Sequence, residues 1–408
     1  MQYTISAPKQ VSAYKVALPT SKSISNRALI LNALAYSAKP IKNLSDSDDT
    51  QLMLKALQSE SNVFDVGAAG TTMRFLTAFL SKIVGEWTIT GSERMKQRPI
   101  KILVEALNKL GAKIEYIEQE GYPPLRIYGS ALEGGDLELS GNVSSQYISA
   151  LLMIGPTMKD GLRLTLSGEI ISRPYISLTL KMMETFGVKS YWKGNTITVP
   201  EGNYQATDFS VEADWSAASY WFQIAALSKD CQLNLQGLKR YSEQGDAKVA
   251  ALFKQLGVNA KFSQKGLMLT SSEITTNKFS YNFIEQPDLA QTFAVTCCCL
   301  GIPFKFTGLQ TLKIKETDRI NALIVELKKM GFVLNSNQID DLSWDGATCK
   351  KDEKPCISTY KDHRMAMAFA PAALIIGDMQ IDDPGVVSKS YPRYWDHLKE
   401  FGFGVKEK

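Results

Sequence analysis

The sequence predicts a two-domain α/β protein in which one βα-rich unit is used six times, three times in each domain. The main observation is a repeated pattern: an amphipathic helix ends at a glycine and a short strand-like run follows, at intervals of 70 to 76 residues. A chain of 408 residues also has room for two domains of roughly 200 residues each. Chance similarity among amphipathic helices would not give this even spacing. The glycines are Gly111, Gly187, Gly257, Gly331 and Gly402.

The division between the domains is predicted near FSVEADWSAASYW, residues 209–221, where a strand-like run meets a new helix start. A weaker sixth copy of the repeat, DTQLMLKALQSESNVFDV, lies earlier in the chain and lacks the glycine. No tract rich in Pro, Gly or Ser marks the division, so we expect tightly joined domains.

Charge and composition exclude several classes of protein. The 46 basic and 42 acidic residues give a net charge of +4, which is too balanced for a nucleic-acid binder, so any anion site must concentrate charge locally. The first residues lack the apolar core of a signal peptide, and the most apolar run, residues 365–376, is too short for a membrane span. We therefore expect a cytoplasmic protein that binds neither nucleic acid nor membrane.

Cysteine and histidine usage argues against a metal site. Cys297, Cys298 and Cys299 are consecutive in an apolar segment, which predicts core packing, and no C-x-x-C pair occurs. The two histidines, His363 and His397, are too few for a structural zinc site, and the G-x-S-x-G elbow of serine hydrolases is absent.

The predicted helix in LPTSKSISNRALILNALA, residues 18–35, begins with many hydrogen-bond donors and continues with apolar residues. Ser23 is a plausible cap, and Arg27 lies four residues later on the same face. Because a helix N-terminus carries exposed N–H groups and partial positive charge, these donors predict an anion site. A capped helix with solvated cations is the alternative.

Other predicted buried helices also begin with polar residues. GAAGTTMRFL offers glycines that let an anion approach the backbone, with Arg74 following. An aspartate at such a start is more often a cap than a catalyst, which applies to Asp288, Asp318 and Asp362. In a repeated architecture the equivalent helix ends should share a face of each domain, so we expect two faces that form a cleft for phosphates and carboxylates.

Eight segments together resemble the 5-enolpyruvylshikimate-3-phosphate synthase family of enolpyruvyl transferases. They run in family order from residue 18 to residue 392, and the combination of SSQ, KETDR and DHRMAM is highly specific. The segments are LPTSKSISNRALILNALA, GAAGTTMRFL, MKQRPI, NVSSQYISALLM, SRPYI, KIKETDRI, DHRMAM and SKSYP.

The resemblance implies a two-domain inside-out α/β barrel of six βαβαββ-type repeats, three per domain. One domain would span residues 21–214, the other residues 1–20 and 215–408, with the active site in the cleft between them. The implied reaction transfers the enolpyruvyl group of phosphoenolpyruvate to the 5-hydroxyl of shikimate 3-phosphate and releases phosphate. No metal or organic cofactor is implied, and we expect a monomer.

The resemblance also assigns residues to each substrate. Phosphoenolpyruvate is expected at Lys22, Gly70, Arg98, Gln146, Arg319, Arg364 and Lys389. Shikimate 3-phosphate is expected at Ser23, Arg27, Ser144, Ser145, Gln146, Ser172, Tyr175, Asp288 and Lys315. The catalytic residues implied are Asp288, which receives the hydroxyl proton, Glu316, which moves the methylene proton, and Lys22, a further proton donor beside the leaving phosphate.

The sequence departs from the family pattern at four positions. The family usually has Asn-Ala-Gly-Thr where this chain has Ala68-Ala69-Gly70-Thr71, and often has proline where Phe75 stands. Thr311 replaces an asparagine of some members, and Thr20 replaces the usual glycine. The charged residues are all retained.

Two rival functions follow from the same residues. The enolpyruvyl transferase of cell-wall synthesis would use a nucleotide sugar as acceptor, but it would be expected to carry a cysteine in the loop that here reads ERMKQRPIK. A repeat scaffold that binds acidic partners would exclude carboxylates such as Asp288 and Glu316, because they weaken anion binding.

Overall fold

The computed structural model describes residues 1–9, 13–228 and 231–408 and has a mixed α/β fold. The chain divides into two compact units. The terminal unit contains Met1–Thr20 and Glu212–Lys408, and the inserted unit contains Ser21–Val211. In the described part of the chain, no helix is both long enough and apolar enough to cross a membrane.

The elements are numbered in chain order. The α-helices are α1 (Lys22–Leu34), α2 (Asp48–Gln58), α3 (Gly70–Lys82), α4 (Glu93–Lys96), α5 (Lys101–Lys109), α6 (Ser145–Ile154), α7 (Arg173–Thr185), α8 (Trp215–Leu227), α9 (Val249–Phe253), α10 (Ala290–Leu300), α11 (Arg319–Lys329), α12 (His363–Phe369), α13 (Ala373–Ile376) and α14 (Tyr394–Phe401). The strands are β1 (Gln2–Ser6), β2 (Tyr14–Ala17), β3 (Val63–Asp65), β4 (Gly85–Thr90), β5 (Lys113–Tyr116), β6 (Leu125–Gly129), β7 (Gly135–Ser140), β8 (Leu162–Ser167), β9 (Tyr191–Lys193), β10 (Thr196–Val199), β11 (Gln232–Gln236), β12 (Val258–Ser263), β13 (Gly266–Ser271), β14 (Phe279–Asn282), β15 (Phe304–Thr307), β16 (Leu342–Trp344), β17 (Cys356–Ile357), β18 (Met379–Asp382) and β19 (Gly404–Glu407). Six short 3₁₀ turns are described as well, at Gly155–Thr157, Gly245–Lys248, Pro287–Leu289, Gln310–Ile314, Ala370–Ala372 and Pro384–Lys389.

The described strands form five sheets that share one pairing pattern. In each sheet a parallel pair comes first and the next strand pairs antiparallel; in four sheets a further antiparallel strand follows. The inserted unit contains β3-β4-β6-β5 and β7-β8-β10-β9. The terminal unit contains β2-β11-β13-β12, β14-β15-β16 and β17-β18-β1-β19. The sequence repeat therefore corresponds to a repeated sheet.

Four of the five predicted helix-ending glycines are confirmed, because Gly111, Gly187, Gly331 and Gly402 directly follow the last turns of α5, α7, α11 and α14. Gly257 comes later, since α9 already ends at Phe253 and a turn separates the two. All five glycines have a φ between +84° and +116°, a conformation that costs glycine little because it has no Cβ. Four of them lead into a strand. After Gly331 the chain forms only isolated bridges, which explains the shorter β14-β15-β16 sheet.

Each unit is built around helices that are buried on nearly every face. In the terminal unit these are α8, α10 and α12, and in the inserted unit α1, α3 and α6. The three consecutive cysteines lie in α10 and are buried, as predicted, and burial raises the pKa of each thiol. Because these helices have no solvent face, only their polar ends can serve a binding site.

A buried carboxylate holds the backbone just before α12. Glu326 is fully buried; Tyr360 Oη donates to its Oε1 at 2.6 Å, and Lys329 Nζ donates to its Oε2 at 2.7 Å. Tyr360 and Lys361 both have positive φ, at 53° and 56°, which is strained for residues with a side chain. The Glu326–Tyr360 bond therefore stabilises the strained turn that leads to Arg364.

Tyr360→Phe should lower the free energy of unfolding by about 1–3 kcal/mol, because Glu326 Oε1 loses a partner in a dry site. Urea denaturation measures the change. Tyr128→Phe is the control, since its hydroxyl contacts Glu115 at 3.4 Å on the exposed surface. Equal urea midpoints for Tyr360→Phe and Tyr128→Phe would show that the hydrogen bond between Tyr360 and Glu326 does not stabilise the turn.

Candidate active site

The terminal unit brings charged residues from three helix starts and two turns into one group. We call this group the terminal-unit cluster, and it consists of Asp288, Lys315, Glu316, Arg319, Asp362, Arg364 and Lys389. Every member except Asp362 is a predicted site residue. All of those predicted for this unit therefore lie together, although they come from segments up to 101 residues apart in sequence.

Arg319, the first residue of α11, connects the carboxylates of the terminal-unit cluster. Its guanidinium is 1% exposed and contacts three carboxylates. Nε lies 2.7 Å from Asp362 Oδ2, Nη1 lies 3.0 Å from Asp288 Oδ1, and Nη2 lies 3.0 Å from Glu316 Oε2. Burial alone would lower the pKa of Arg319, but the three carboxylates raise it above its usual value.

Asp288 lies in the 3₁₀ turn before α10 and is surrounded by cations. Arg364 Nη2 is 2.8 Å from its Oδ2, and Lys315 Nζ is 3.6 Å from its Oδ1. Burial favours the protonated acid, but the charges of Arg364, Lys315 and Arg319 outweigh it and hold the pKa of Asp288 well below its ordinary value. Asp288 is thus ionised in this environment.

Glu316 and Lys389 form a further ion pair of the terminal-unit cluster. Lys389 Nζ lies 2.8 Å from Glu316 Oε1, while the other oxygen of Glu316 contacts Arg319. Lys315 directly precedes Glu316 in sequence. Its pKa is lowered, because burial and the charges of Arg319 and Arg364 outweigh the attraction of Asp288 and Glu316.

The three aspartates at helix starts differ in role. Asp318 caps α11 by accepting from Asn321 N at 3.2 Å, and Asp362 caps α12 by accepting from Arg364 N at 2.9 Å. Asp288 makes no cap bond: α10 begins after Leu289, and the Asp288 oxygens contact the cations instead. A cap therefore explains two of these aspartates but not Asp288.

The inserted unit carries its own set of predicted residues at the starts of α1, α3, α6 and α7. The cap of α1 is Ser21, whose Oγ accepts from Ile24 N at 3.5 Å, so the prediction of Ser23 as the cap is wrong. The chain turns into the helix two residues earlier than predicted, which places Lys22 and Ser23 in its first turn. Lys22 Nζ lies 3.4 Å from Asp49 Oδ2 in the first turn of α2.

Gly70 and Arg98 are in direct contact. A Cβ added to Gly70 would lie 2.7 Å from Nη1 and 3.0 Å from Nη2 of Arg98, so only glycine admits the guanidinium in this position. Arg98 is 9% exposed, and its buried Nε has no hydrogen-bond partner in the described part of the chain. Arg74 holds the backbone on both sides of this contact by donating to Gly70 O at 3.1 Å and to Pro99 O at 3.3 Å.

The SSQ and SRPY segments place their hydroxyls at two helix starts. Ser144 caps α6 by accepting from Gln146 N at 3.3 Å, and Gln146 Nε2 donates to Thr71 Oγ1 at 3.1 Å. Ser145 begins α6 and is half-buried. Ser172 occupies the cap position of α7 but makes no side-chain cap bond, and its φ of 52° is strained, which is common at functional sites. Tyr175 N donates to Ser172 O at 3.0 Å.

Arg27 is more deeply placed than the sequence suggests. It is 2% exposed, donates through Nε to Thr179 at 2.7 Å and through Nη2 to Ser149 at 3.1 Å, and lies 5.3 Å from the Phe75 ring centroid. Burial lowers its pKa to about 10. Phe75, one of the departures from the family pattern, is therefore a packing partner of Arg27.

Sequence reasoning missed several residues that support these sites. Asp49 belongs to none of the quoted motifs. Asp362 and Arg74 lie within quoted motifs, but only distances reveal the ion pair of Asp362 with Arg319 and the backbone bonds of Arg74. The same is true of the ion pair between Asp49 and Lys22. Within residues 1–9, 13–228 and 231–408, no three or more His, Cys, Asp and Glu side chains are grouped so that they could hold a metal ion.

Comparison with known proteins identifies the family. The family model described as EPSP synthase (3-phosphoshikimate 1-carboxyvinyltransferase) matches residues 5–60 and 56–398, which is nearly the whole chain. The chain belongs to the EPSP synthase family. A relative from Bacteroides fragilis strain YCH46, named 3-phosphoshikimate 1-carboxyvinyltransferase, is 56% identical over 407 residues, covering 100% of this chain and 99% of its own length.

More distant members of the EPSP synthase family agree. The Aliivibrio fischeri strain MJ11 protein of the same name is 37% identical over 415 residues, covering 95% of this chain and 96% of its own. A solved structure of the EPSP synthase from Acinetobacter baumannii matches with a TM-score of 0.77 at 21% identity and covers all of both chains. That likeness shows the fold, which is the mixed α/β fold predicted for this chain.

Proposed function

We propose that this protein transfers the enolpyruvyl group of phosphoenolpyruvate to the 5-hydroxyl of shikimate 3-phosphate and releases inorganic phosphate. The observation that carries the proposal is the terminal-unit cluster, in which four cations surround two carboxylates that are not used as caps. A binder of acidic partners gains nothing from these carboxylates, whereas a proton-transfer enzyme needs them. The names of the full-length relatives support the same reaction.

The two substrates bring two phosphates and two carboxylates, which match the cations of both units. We assign phosphoenolpyruvate to Lys22, Gly70, Arg98, Gln146, Arg319, Arg364 and Lys389. We assign shikimate 3-phosphate to Ser23, Arg27, Ser144, Ser145, Gln146, Ser172, Tyr175, Asp288 and Lys315. Arg319 and Arg364 are now paired with internal carboxylates, so substrate anions would replace those partners.

The chemistry requires one proton to leave the 5-hydroxyl and one to reach the methylene carbon of phosphoenolpyruvate. C2 then carries both the 5-oxygen of shikimate 3-phosphate and the phosphate; loss of phosphate and of a methyl proton restores the double bond. Asp288 takes the hydroxyl proton in this scheme. Its low pKa keeps it ionised in the empty site, and its basicity rises when substrate anions neutralise Arg364 and Lys315. Glu316 moves the methylene proton, and Lys22 donates beside the leaving phosphate.

The proposal extends to architecture and assembly. The five described sheets share the same order of strand pairing, which supports a six-repeat inside-out barrel of βαβαββ units. The parallel bridge between Lys42 and Ser210 supports a sixth copy of the repeat. The proposed enzyme acts as a monomer in the cytoplasm, as the resemblance to the family implies. The rival acceptor, a nucleotide sugar, is disfavoured by the names of the full-length relatives.

Phosphate release with phosphoenolpyruvate and shikimate 3-phosphate tests the function directly. We expect turnover with this pair and none when a UDP-sugar replaces shikimate 3-phosphate. Release with the UDP-sugar alone would transfer the assignment to the cell-wall enzyme, and release with neither acceptor would leave the scaffold hypothesis.

Gly70→Ala should raise the KM for phosphoenolpyruvate by roughly tenfold, because the added Cβ displaces the Arg98 guanidinium and weakens a charge-assisted contact. Steady-state kinetics at saturating shikimate 3-phosphate measures the effect. Gly202→Ala in the same unit is the matched control, since a Cβ there meets nothing within 4 Å. An unchanged KM would remove Arg98 from the phosphoenolpyruvate set.

A further inference from the structure

Asp246 is a buried carboxyl group that the proposed mechanism does not use. It lies on the 3₁₀ turn Gly245–Lys248 and is 2% exposed. Ser216 Oγ, in the first turn of α8, donates to its Oδ2. Its Oδ1 is buried and has no hydrogen-bond partner within the described residues. A buried carboxylate oxygen without a partner is costly, so a proton or a change in its surroundings is needed to stabilise it.

The groups around Asp246 carry mostly negative charge. Asp214, the cap of α8, and Asp288, before α10, repel a second negative charge there, while Arg364 in α12 attracts it. Tyr281, on β14, also interacts with Asp246. No lysine, arginine or histidine nitrogen of the described chain lies within 4.0 Å of the Asp246 oxygens. Burial, followed by the charge of Asp288, raises the pKa of Asp246 to about 7.

Substrate binding changes this balance. Arg364 Nη1 donates to Tyr220 Oη at 3.5 Å, and Tyr220 lies one turn of α8 beyond Ser216, the hydrogen-bond partner of Asp246. An anion on Arg364 therefore adds negative charge to this region and offsets the cation that favours the ionised form of Asp246. The protonated form of Asp246 is therefore favoured when the site is occupied. By linkage, the protein whose Asp246 is protonated must also bind the anion more tightly.

We propose that Asp246 is a positioning residue that takes up a proton from solvent when phosphoenolpyruvate occupies Arg364 and returns it to solvent when the site empties. The neutral carboxyl then removes a negative charge that would otherwise weaken the attraction between Arg364 and the substrate anion. This inference rests on the proposed function, because it requires an anionic substrate at Arg364.

Calorimetry measures the proton directly. Phosphoenolpyruvate is titrated at pH 7.5 into wild type and Asp246→Asn in buffers of different ionisation enthalpy, in the presence and absence of shikimate 3-phosphate analogues that do not react. Wild type should take up more protons than Asp246→Asn, by at most about one per site. Ionisation of the ligand itself is common to both proteins and cancels in the difference. Asp378→Asn, an exposed aspartate of the same unit, is the charge-matched control.

Affinity and stability supply independent readouts. Above pH 7 the wild-type affinity should fall by up to about tenfold per pH unit relative to Asp246→Asn. Because the pKa of Asp246 is raised from 3.8 to about 7 on folding, wild type loses stability as pH rises between these two values. The melting temperature of Asp246→Asn should therefore rise relative to that of wild type across this range, and the difference should level off above pH 7. Ser216→Ala removes the bond that favours the ionised form, so it should shift the proton-uptake maximum to higher pH.

The outcomes separate the two proposals. Equal proton uptake and equal pH dependence in wild type and Asp246→Asn, with normal wild-type turnover, would overturn this inference and leave the proposed function standing. Absence of wild-type turnover with phosphoenolpyruvate and shikimate 3-phosphate would overturn both. If Asp246→Asn fails to fold, Ser216→Ala decides: an unchanged pH dependence in that variant overturns the inference.

Discussion

Asp288→Asn should lower kcat by roughly 10²–10⁴-fold, the usual effect of removing a positioned acid or base, while the affinity for both substrates is kept or increased. The variant preserves size and removes one negative charge from a group of three cations, Arg319, Arg364 and Lys315. Those cations then hold the substrate anions with less internal competition, although Arg319 keeps its pairs with Glu316 and Asp362. Steady-state kinetics gives the loss of turnover, and titration calorimetry with shikimate 3-phosphate gives the affinity.

The Asp288 result separates catalysis from simple binding. Glu316→Gln should show the same split between turnover and affinity, although Lys389 and Arg319 lose a shared partner. Asp378→Asn, on the exposed surface, controls for the loss of one carboxylate. If kcat stays within threefold of wild type in both variants, the proton transfers belong to other residues.

Arg319→Ala should abolish measurable turnover and lower the free energy of unfolding by about 3–5 kcal/mol. Its guanidinium is the only group described in contact with Asp288, Glu316 and Asp362 together, so its removal leaves one fully buried and two partly buried carboxylates short of a partner. Asp362 is affected most, because it is fully buried and also caps α12, which carries Arg364. Urea denaturation followed by circular dichroism measures the loss of stability.

Arg319→Lys isolates geometry from charge. Lysine keeps the charge but cannot donate in the planar arrangement that reaches three carboxylates at once, so kcat/KM should fall on the order of 10²-fold with a smaller loss of stability. Arg393→Ala is the matched control, because its pair with Glu400 at 3.2 Å is exposed and should change stability by less than about 1 kcal/mol. Wild-type stability in Arg319→Ala would show that the cluster does not depend on Arg319.

The features that could be predicted from sequence are those with a local cause. A glycine that must adopt positive φ ends a helix wherever it stands, so Gly111 and its four counterparts identified the repeat without any structure. The cations at helix starts were identifiable because the family motifs are short and continuous. The burial of Cys297 and its neighbours followed from the apolar segment around them.

The features that could not be predicted depend on residues far apart in the chain. Arg27 donates to Thr179, 152 residues away, and only the packing of α1 against α7 brings the two together. Arg319 and Asp362 are 43 residues apart, and neither motif indicates the other. The cap of α1 was misplaced because Ser21, Ser23 and Ser25 alternate closely in sequence, and only the structure shows that Ser21 has the extended backbone of a cap while the other two lie within the helix.

The pairing of the first strand, β1, with β18 and β19 has a consequence for how the protein is made. Ile5 lies opposite Met379 and Val405, so the last sheet needs both ends of the chain. At roughly 5–20 residues per second, the ribosome completes the inserted unit long before the strands that β1 requires, and β1 waits on the order of tens of seconds. Lys408 N also bonds Gln2 O at 3.0 Å, so these two residues are neighbours. Joining them and opening the chain in an exposed loop should therefore give a permuted protein that folds.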